Sequence, residues 1–574
     1  MEEKRKGLVT KMKTLLKGGT VVNVFTGELE KANVLIEGET VVGVGAYDET
    51  DADTVEYVEG KYICPGFIDG HIHIESTMMT PTELAKTCMP HGTTAIIADP
   101  HEIANVCGVD GIRYMIEASE GIPLHVYLTL PSCVPATPFD ESGANLLAEN
   151  LRPLYDNQRV VGLAEMMNYP GVLARDQDVL QKIADARRLG KAVDGHAPSL
   201  SGKALDQYIA AGIQSDHECA CADEAIEKIR KGQWVMIRQG TAARNLTALL
   251  PLFEAPYKHR CVLVTDDRHP ADLEAEGHID NIIRLAVQHG KNVITAIQMA
   301  TVQAAQCFGL SYVGAIAPAY RADLLVLDDL DTVDICDVYA SGKKVVDRRR
   351  MRRFSAPEID EKLLHTVKHS FHIAPLMPED FHIAENADQC RVIRIIPGQL
   401  ATDEEICDIC WDVGNGVDPA RDILKLAVLE RHKNTGHKGL GFIKGIGLKK
   451  GAIASSVSHD SHNLIVIGTN DADMALAANR ICQTGGNVVV SDGQVIAEMK
   501  LPIAGLMTDV SGKEIAAENE SVRAAVSALG VTEGIEPFMN MAFVSLPVIP
   551  SIKMTTQGLV NVNSQERISL YYNT

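Results

Sequence analysis

Short apolar runs, each followed by a helical pattern, recur between about Pro65 and Leu310 and most constrain the fold. The run "TTAIIAD" precedes "HEIANVCGVDGIRYMIEAS", and "RCVLVTDD" precedes "HIDNIIRLAVQHG". Short apolar runs favour buried parallel strands, whereas apolar residues three and four positions apart favour amphipathic helices. Repeated βα units over about 250 residues predict a (β/α)8 barrel.

Short β-branched runs separated by glycine and polar residues flank this region on both sides. They occupy residues 1–64 and 311–364, so we expect the two segments to form one small β-sandwich module into which the barrel, residues 65–310, is inserted. Residues 365–574 alternate strands and helices and are long enough to bury a core of their own. The predicted fold class is therefore α/β, a TIM-like barrel inserted in a β sandwich, plus a C-terminal α+β domain.

Charge and composition restrict the class of partner. The formal charge of −22 is spread along the 574 residues without an acidic tail, which disfavours nucleic acid and anionic membranes and favours a small-molecule partner. The opening "MEEKRKGLVTKMKTLLKGG" has no apolar signal-peptide core, and no run approaches the length of a membrane span. The 13 scattered cysteines, including the lone "CDIC" pair Cys407 and Cys410, then stay reduced in a cytosolic protein.

Residues that can bind metals follow the apolar runs of the barrel region. In "GFIDGHIH", His71 and His73 are two positions apart, so both point to the same side of a strand end. Barrel enzymes place their chemistry at the carboxyl ends of the strands. A lone histidine there is usually structural, but a series of imidazoles and carboxylates suits two divalent ions bridged by a carboxylate. The other members of the series are Glu165, His196, His217 and Asp266 or its neighbour Asp267.

This series resembles the amidohydrolase superfamily. Its members carry HxH on the first strand, one histidine on each of the fifth and sixth strands, and an aspartate on the eighth. Many binuclear members bridge their metals with a carboxylated lysine from the fourth strand, but Glu165 stands at that place here, which implies a glutamate bridge. The matching residues of this chain are His71, His73, His196, His217 and Asp266.

Within the superfamily, the chain is most similar to the bacterial adenine deaminases. The resemblance rests on "PGFIDGHIHIEST", "ADPHEIANVCG", "AEMMNYPGV", "DGHAP", "SDHE", "TDDRHP", "HDSHN" and "LPVIPSIKMTTQGLVNV". It implies hydrolytic deamination of adenine to hypoxanthine and ammonia, a purine-salvage reaction. It also implies two divalent metal ions, with manganese or iron(II) favoured over zinc, and a homo-oligomer, a dimer or a tetramer.

Two carboxylates are candidates for proton transfer in that reaction. Water activated by the metals would attack C6 while N1 gains a proton, so a general acid is needed beside the ligands. Glu218 is the candidate, with an equally weighted alternative role of holding His217 in its tautomer. Asp266 would also accept a proton from the nucleophile and pass it to the departing amine.

Three further segments carry polar residues that could lie near the site. Asp99 and His101 repeat the two-position spacing and could contact substrate, support the ligands or bind a third metal; the alternative is a helix N-terminus. Arg238, and with weaker support Arg244, are candidate purine contacts. The "HDSHN" segment, residues 459–463, could be a metal cluster or a lid, but the sequence favours a polar loop.

Three alternative functions have less support in the sequence. "HIE" satisfies the H-x-E motif of zinc nucleoside deaminases, but the P-C-x-x-C motif they also need is absent from the sequence. A cyclic-amide hydrolase of the hydantoinase or dihydropyrimidinase type could use the same metal site, although Glu165 in place of lysine counts against it. A non-catalytic scaffold is disfavoured because all six ligand positions are filled.

Overall fold

Eight parallel strands close into a barrel in the computed structural model, which describes residues 11–241, 243–412 and 414–572. The Gln214 amide donates to the Val193 carbonyl at 3.0 Å and joins the fifth strand to the sixth. The Asp266 amide donates to the His71 carbonyl at 2.9 Å and closes the eighth strand on the first. The predicted fold class is confirmed. The strands are Phe67–Ile72, Thr93–Ala98, His125–Leu130, Val160–Met166, Ala192–Gly195, Ser215–Asp216, Trp234–Arg238 and Cys261–Val264.

Helices connect and follow these strands. The segment "NVITAIQMATVQAAQCFGL" forms two helices, and the Ala300 carbonyl between them accepts a hydrogen bond from the Ile68 amide of the first strand at 2.7 Å. In the described part of the chain, none of the helices is both long and apolar enough to span a membrane. The barrel helices are Pro81–Cys88, His101–Ala118, Ala148–Leu151, Tyr169–Ala174, Gln177–Arg188, Gly202–Ala211, Ala222–Arg230, Leu246–Leu249, Pro270–Glu276, Ile279–Gln288, Val293–Met299 and Val302–Cys307.

Strands from both sides of the barrel form the small β module. Leu324–Asp329 pairs antiparallel with Tyr62–Pro65, so one sheet joins segments that are distant in sequence. Residues 1–10, which the domain prediction includes in this module, lie outside the described residues. Its four-stranded sheet contains Thr40–Gly45, Asn33–Glu37, Lys13–Lys17 and Thr54–Tyr57; the seven-stranded sheet contains Arg350–Met351, Lys343–Asp347, Asp334–Ala340, Leu324–Asp329, Tyr62–Pro65, Thr20–Asn23 and Glu28–Lys31.

The C-terminal segment is built on an eight-stranded sheet and a separate three-stranded sheet. The helices of this segment are Glu361–Lys368, Asp471–Thr484, Gly512–Ala528 and Pro537–Val544. The larger sheet contains Thr402–Asp408, Gln389–Ile395, Lys438–Lys444, Leu424–Leu429, Leu464–Gly468, Ala452–Ser455, Asn487–Ser491 and Gln494–Met499, in spatial order; the smaller contains Ile552–Thr555, Gly558–Asn561 and Glu566–Arg567.

The C-terminal segment packs directly on the barrel. The amide of Thr508 donates to the Met78 carbonyl at 2.9 Å, and the amide of Thr80 donates to the Thr508 carbonyl at 3.1 Å. One apolar cluster contains Leu84 of the barrel region together with Ile515 of the C-terminal segment. The two parts therefore share a core, and the C-terminal segment is positioned to contribute to a site at the barrel mouth.

Candidate active site

Four side chains converge at the ends of the first, fourth and eighth barrel strands. Nε2 of His73 lies 3.2 Å from Nε2 of His71, 3.1 Å from Oδ1 of Asp266 and 3.4 Å from Oε1 of Glu165. All four residues are buried. Ligand atoms about 2.1 Å from one cation are separated from each other by about 3.0–3.4 Å, which is the spacing found here.

Nδ1 of each of these two histidines faces an acceptor on the side away from the cluster. Nδ1–H of His71 donates to Oδ2 of Asp194 at 2.9 Å, and Nδ1–H of His73 donates to the Asp99 carbonyl at 3.1 Å. At His73, the Asp266 and Glu165 carboxylates outweigh burial and raise the pKa, so a positive charge is favoured at this position. In the neutral tautomers that these bonds allow, both Nε2 atoms carry lone pairs, and the lone pairs face each other across 3.2 Å. A cation between the two nitrogens would satisfy both.

A second donor set shares Glu165 with the first. Oε2 of Glu165 lies 2.6 Å from Nδ1 of His196 and 3.1 Å from Nε2 of His217, while its Oε1 faces His73. The two oxygens of one carboxylate therefore contact different sets of imidazoles. This is the geometry that a glutamate bridge between two cations requires.

The carboxylates make this region attractive to cations. Burial would lower the pKa of His196, but Glu218 and Glu165 outweigh it and raise the pKa to about 9. Burial likewise opposes protonation of His217, and Glu165 raises its pKa to about 9. The negative potential that favours protons on these imidazoles also favours divalent ions. The imidazole and carboxylate donor set, without thiolate, therefore fits the divalent metal centre of an amidohydrolase.

Arg238 pairs with both candidate proton-transfer residues. Its Nη1 lies 2.5 Å from Oε1 of Glu218 and contacts Oδ2 of Asp266, and its Nη2 lies 3.0 Å from Oε2 of Glu218. Burial would raise the pKa of Glu218, but Arg238 outweighs it and keeps the pKa below its ordinary value. Glu218 is therefore ionised. Its Oε1 also lies 3.4 Å from Nε2 of His217, the nitrogen that faces Glu165, whereas a residue that holds His217 in its tautomer would contact Nδ1.

Asp99 and His101 lie beside the first donor set. Nδ1 of His101 is 3.0 Å from Oδ2 of Asp99 and 3.6 Å from Oε1 of Glu165. His101 is also the first residue of the helix His101–Ala118. A position at a helix N-terminus and a position beside the site are therefore compatible for this residue. Arg244 instead approaches Asp272 at 3.5 Å and does not line the cavity that contains the ligands.

Close approach of neighbouring strands places the ligands. A Cβ at Gly70 would lie 2.5 Å from Cγ1 of Val262, so only glycine lets the first and eighth strands come this close. A Cβ at Gly195 would lie 2.2 Å from the Ser215 carbonyl, and Gly195 directly precedes the candidate ligand His196. Asp266 has a φ of 60°, a left-handed conformation that aspartate tolerates better than most residues.

The site opens into a cavity of about 640 Å³ whose walls come from both the barrel and the C-terminal segment. Candidate metal ligands and Arg238 form part of the cavity wall. The rest of the cavity wall includes residues of the C-terminal segment, and no sequence pattern connects these residues with the histidines. Side chains from the C-terminal segment include Leu400, His459, Asp460, Phe543, Asn563 and Gln565.

The "HDSHN" segment is a loop, but it is buried against the barrel and not a solvated polar loop. Nδ1–H of His459 donates to Oε1 of Glu102 at 2.6 Å, and Nε2 of His462 contacts Oε2 of the same carboxylate. Glu102 follows the second barrel strand. The loop therefore joins the C-terminal segment to the barrel mouth.

Sequence reasoning missed Asp194 and Glu102 as parts of this region, and it ranked a metal cluster or a lid at His459 below a polar loop. Asp194 stands two residues before His196 in the fifth strand, so the same alternation that identified His71 could have found it. Glu102 and His459 are 357 positions apart, and no local pattern predicts that contact.

Comparisons with known proteins agree with this geometry. Residues 62–346 match the Amidohydrolase family, and residues 399–566 match the Adenine deaminase C-terminal domain. The chain is 44% identical over 559 residues to an adenine deaminase of Desulfatibacillum aliphaticivorans, covering 97% of each chain. It is 45% identical to adenine deaminase 2 of Carboxydothermus hydrogenoformans, covering 96% of this chain and 95% of that protein.

Among solved structures, a β-aspartyl dipeptidase from Fervidobacterium islandicum AW-1 matches 60% of this chain and 100% of its own, with 17% identity and a TM-score of 0.48. The dihydropyrimidinase from Brevibacillus agri NCHU1002 matches 59% of this chain and 96% of its own, with 18% identity and a TM-score of 0.46.

Proposed function

The chain belongs to the adenine deaminase family, and we propose that it hydrolyses adenine to hypoxanthine and ammonia in the cavity between the barrel and the C-terminal segment. The observation that carries the site assignment is the pair of Nε2 atoms of His71 and His73, 3.2 Å apart beside Asp266 and Glu165, with each Nδ1 facing an acceptor on the other side. Two imidazole nitrogens and two carboxylates at this spacing match the donor set of a metal-dependent hydrolase.

We assign two divalent ions to the two donor sets, and Glu165 would contribute one carboxylate oxygen to each set. Manganese or iron(II) is favoured, and zinc also suits these donors. When bound, the ions would lower the pKa of a water molecule so that it is a nucleophile at neutral pH. The six residues that would hold them are His71, His73, Glu165, His196, His217 and Asp266.

Glu218 is assigned to the proton that N1 must gain. The ionised carboxylate, held by Arg238, can accept a proton from the attacking water and deliver it to N1 as the bond to C6 forms. This assignment differs from a carboxylic acid that is protonated at the start. Because Arg238 contacts both oxygens of Glu218, it also orients the carboxylate toward the cavity.

Asp266 is assigned to the second proton of the same water. Its Oδ1 faces His73 and its Oδ2 contacts Arg238, so it lies between the ligands and the cavity. Transfer of that proton to the exocyclic nitrogen lets the C6–N bond break and ammonia leave. The balance is complete: the water oxygen stays on C6, one proton goes to N1 and the other goes to ammonia.

The decisive experiment measures ammonia release from adenine, guanine, adenosine and a hydantoin. Metal-free protein is reconstituted separately with manganese, iron(II) and zinc, beside a His71→Ala variant. Turnover of adenine that disappears in the variant supports the proposal and ranks the metals. Turnover of the hydantoin without adenine would instead assign a cyclic-amide hydrolase.

We further propose a cytosolic enzyme that assembles as a closed dimer or tetramer. The 13 cysteines are all free, which suits a reducing compartment, and closed symmetric assemblies are the common form of large soluble enzymes. Sedimentation of the purified chain would measure the assembly state directly. A monomer at micromolar concentration would contradict the oligomer.

A further inference from the structure

The buried group formed by Glu102, His459 and His462 has the composition of a metal site but not the hydrogen bonding of one. The Ser458 amide donates to Nδ1 of His462 at 3.1 Å, so Nδ1 carries the lone pair and Nε2 carries the proton. Nε2–H of His462 then donates to Glu102 and cannot offer a lone pair to a cation. The group is therefore a hydrogen-bonded cluster whose centre is the Glu102 carboxylate.

His459 is held in one orientation by this cluster. Its Nδ1–H donates to Glu102 at 2.6 Å, and its ring stacks on Phe543 with centroids 4.5 Å apart and planes 18° apart. Nε2–H of His101 lies 3.3 Å from the same oxygen of Glu102. A carboxylate that fixes one nitrogen of an imidazole leaves the other nitrogen oriented for a task, as in catalytic histidine–carboxylate pairs.

The other nitrogen of His459 opens into the cavity space. Its Nε2 has no hydrogen-bond partner among the described residues. It is also absent from the polar atoms that are both unpartnered and completely buried, so the nitrogen is accessible. The side chain lines the cavity of about 640 Å³ that contains the ligands and also a smaller adjoining cavity of about 240 Å³. An imidazole that is only a structural link between two domains has no need of an open, unpartnered nitrogen.

We propose that His459 contacts the substrate: its Nε2–H donates a hydrogen bond to N3 or N7 of the purine. This inference rests on the proposed function, because it places adenine in the cavity with C6 at the ligands. Addition of water to C6 pushes electron density into the ring, so a donor at a ring nitrogen stabilises the transition state more than the ground state.

The electrostatics of His459 suit a donor. Burial would lower its pKa, but the Glu102 carboxylate outweighs burial and raises the pKa to about 9. Asp267 and Asp460 act in the same direction. The 2.6 Å contact between Nδ1 of His459 and the Glu102 carboxylate likewise favours the imidazolium form, in which Nε2 also carries a hydrogen.

Two isosteric variants separate a substrate contact from a structural link. In His459→Asn, the amide nitrogen replaces Nδ1 and keeps the bond to Glu102 but loses the cavity-facing donor. In His459→Gln, the amide nitrogen replaces Nε2 and keeps that donor. We expect kcat/KM for adenine to fall by about 100-fold in the first and by less than about 10-fold in the second, mostly through kcat. The reverse order would overturn the inference in favour of a structural link.

Substrate analogues identify the contacted nitrogen. 3-Deazaadenine and 7-deazaadenine each replace one ring nitrogen with CH. The analogue that lacks the contacted nitrogen should lose activity with the unmodified chain but show no further loss with His459→Asn. Independent losses for both analogues would contradict a contact between His459 and either nitrogen, and would refute the inference.

The controls distinguish this inference from the proposed function. His437→Gln alters another histidine of the C-terminal segment, exposed and paired with Glu141 at 2.7 Å outside the cavity, and should change kcat/KM by less than twofold. Metal content and unfolding temperature are measured for every variant. Absence of adenine turnover by the unmodified chain would refute the function, whereas equal turnover by that chain and His459→Asn would refute only the role of His459.

Discussion

Oδ2 of Asp194 lies 2.9 Å from Nδ1 of His71, on the opposite side of the imidazole from the nitrogen that faces the other ligands. The carboxylate is itself fixed, because its Oδ1 accepts from Oγ of Ser215 at 2.6 Å and from the Gly195 amide at 2.8 Å. Asp194 thereby determines both the tautomer and the orientation of His71. Such carboxylate–histidine pairs raise the basicity of a metal ligand.

Replacing Asp194 with asparagine should weaken metal binding without unfolding the chain. The amide is a poorer acceptor for Nδ1–H, so His71 is less strongly held in the tautomer that exposes Nε2. We expect metal affinity to fall about 10- to 100-fold, with activity recovered at high metal concentration. Titration of the metal-free protein measures this. The exposed Asp206→Asn is the control, and an Asp194→Asn protein with unchanged affinity would contradict the role.

Glu165→Gln tests the bridge between the two donor sets. Glutamine has one oxygen and cannot present negative charge to His73 on one side and His196 on the other. We expect fewer than two metal ions per chain after dialysis, and a loss of kcat/KM of more than about 100-fold. Elemental analysis and ammonia release provide the two measurements. The exposed Glu149→Gln should keep both values, while full occupancy in Glu165→Gln would exclude a bridging role.

The barrel and its candidate ligands could be predicted from the sequence because both follow from patterns within short segments. Apolar runs predict strands, and alternation within a strand places His71 and His73 on one side. The positions of Glu165 and Asp266 follow from the same repeated βα pattern. The hydrogen bonds that select tautomers, such as Asp194 to His71, connect different strands and appear only once the barrel closes.

The contribution of the C-terminal segment was not predictable in the same way. His459 contacts Glu102, which is 357 positions away in the sequence. Phe543, from the helix Pro537–Val544, also lines the cavity. Such contacts depend on how two units dock. Polar residues such as those of "HDSHN" favour a solvated loop unless a partner is known, and here the partner is a carboxylate of the barrel.

Lys228 stabilises the loops that carry His196 and His217. Its Nζ is fully buried and lies 2.9 Å from Oδ2 of Asp216, whose Oδ1 accepts from the Ala197 amide at 2.7 Å. Lys228→Met leaves the Asp216 carboxylate buried without its principal cation, so we expect a loss of about 3–5 kcal/mol in the free energy of unfolding. Urea denaturation measures the loss.

The double variant Lys228→Met/Asp216→Asn gives the matched comparison. It removes both charges while the asparagine oxygen can still accept from the Ala197 amide, so it should be more stable than Lys228→Met alone. If the double variant is less stable than either single variant, the buried charge is not the cause of the loss. Metal content of the two proteins reports whether the ligand loops stay in place.

Lys553 should make the free energy of unfolding depend on pH between about 7 and 10.5, well above the range in which carboxylates titrate. Burial lowers its pKa from 10.5 to about 7, and its Nζ donates only to the Leu400 carbonyl among the described residues, at 3.0 Å. Between these two pKa values, Lys553 binds a proton in the unfolded chain but not in the folded chain. The free-energy cost of burying Lys553 is therefore complete below pH 7 and disappears as pH approaches 10.5. Lys553→Met should therefore raise the unfolding temperature most at neutral pH, and the difference should shrink as pH rises. The exposed Lys203→Met serves as control, and a gain that does not vary with pH would show that Lys553 is charged in the folded state.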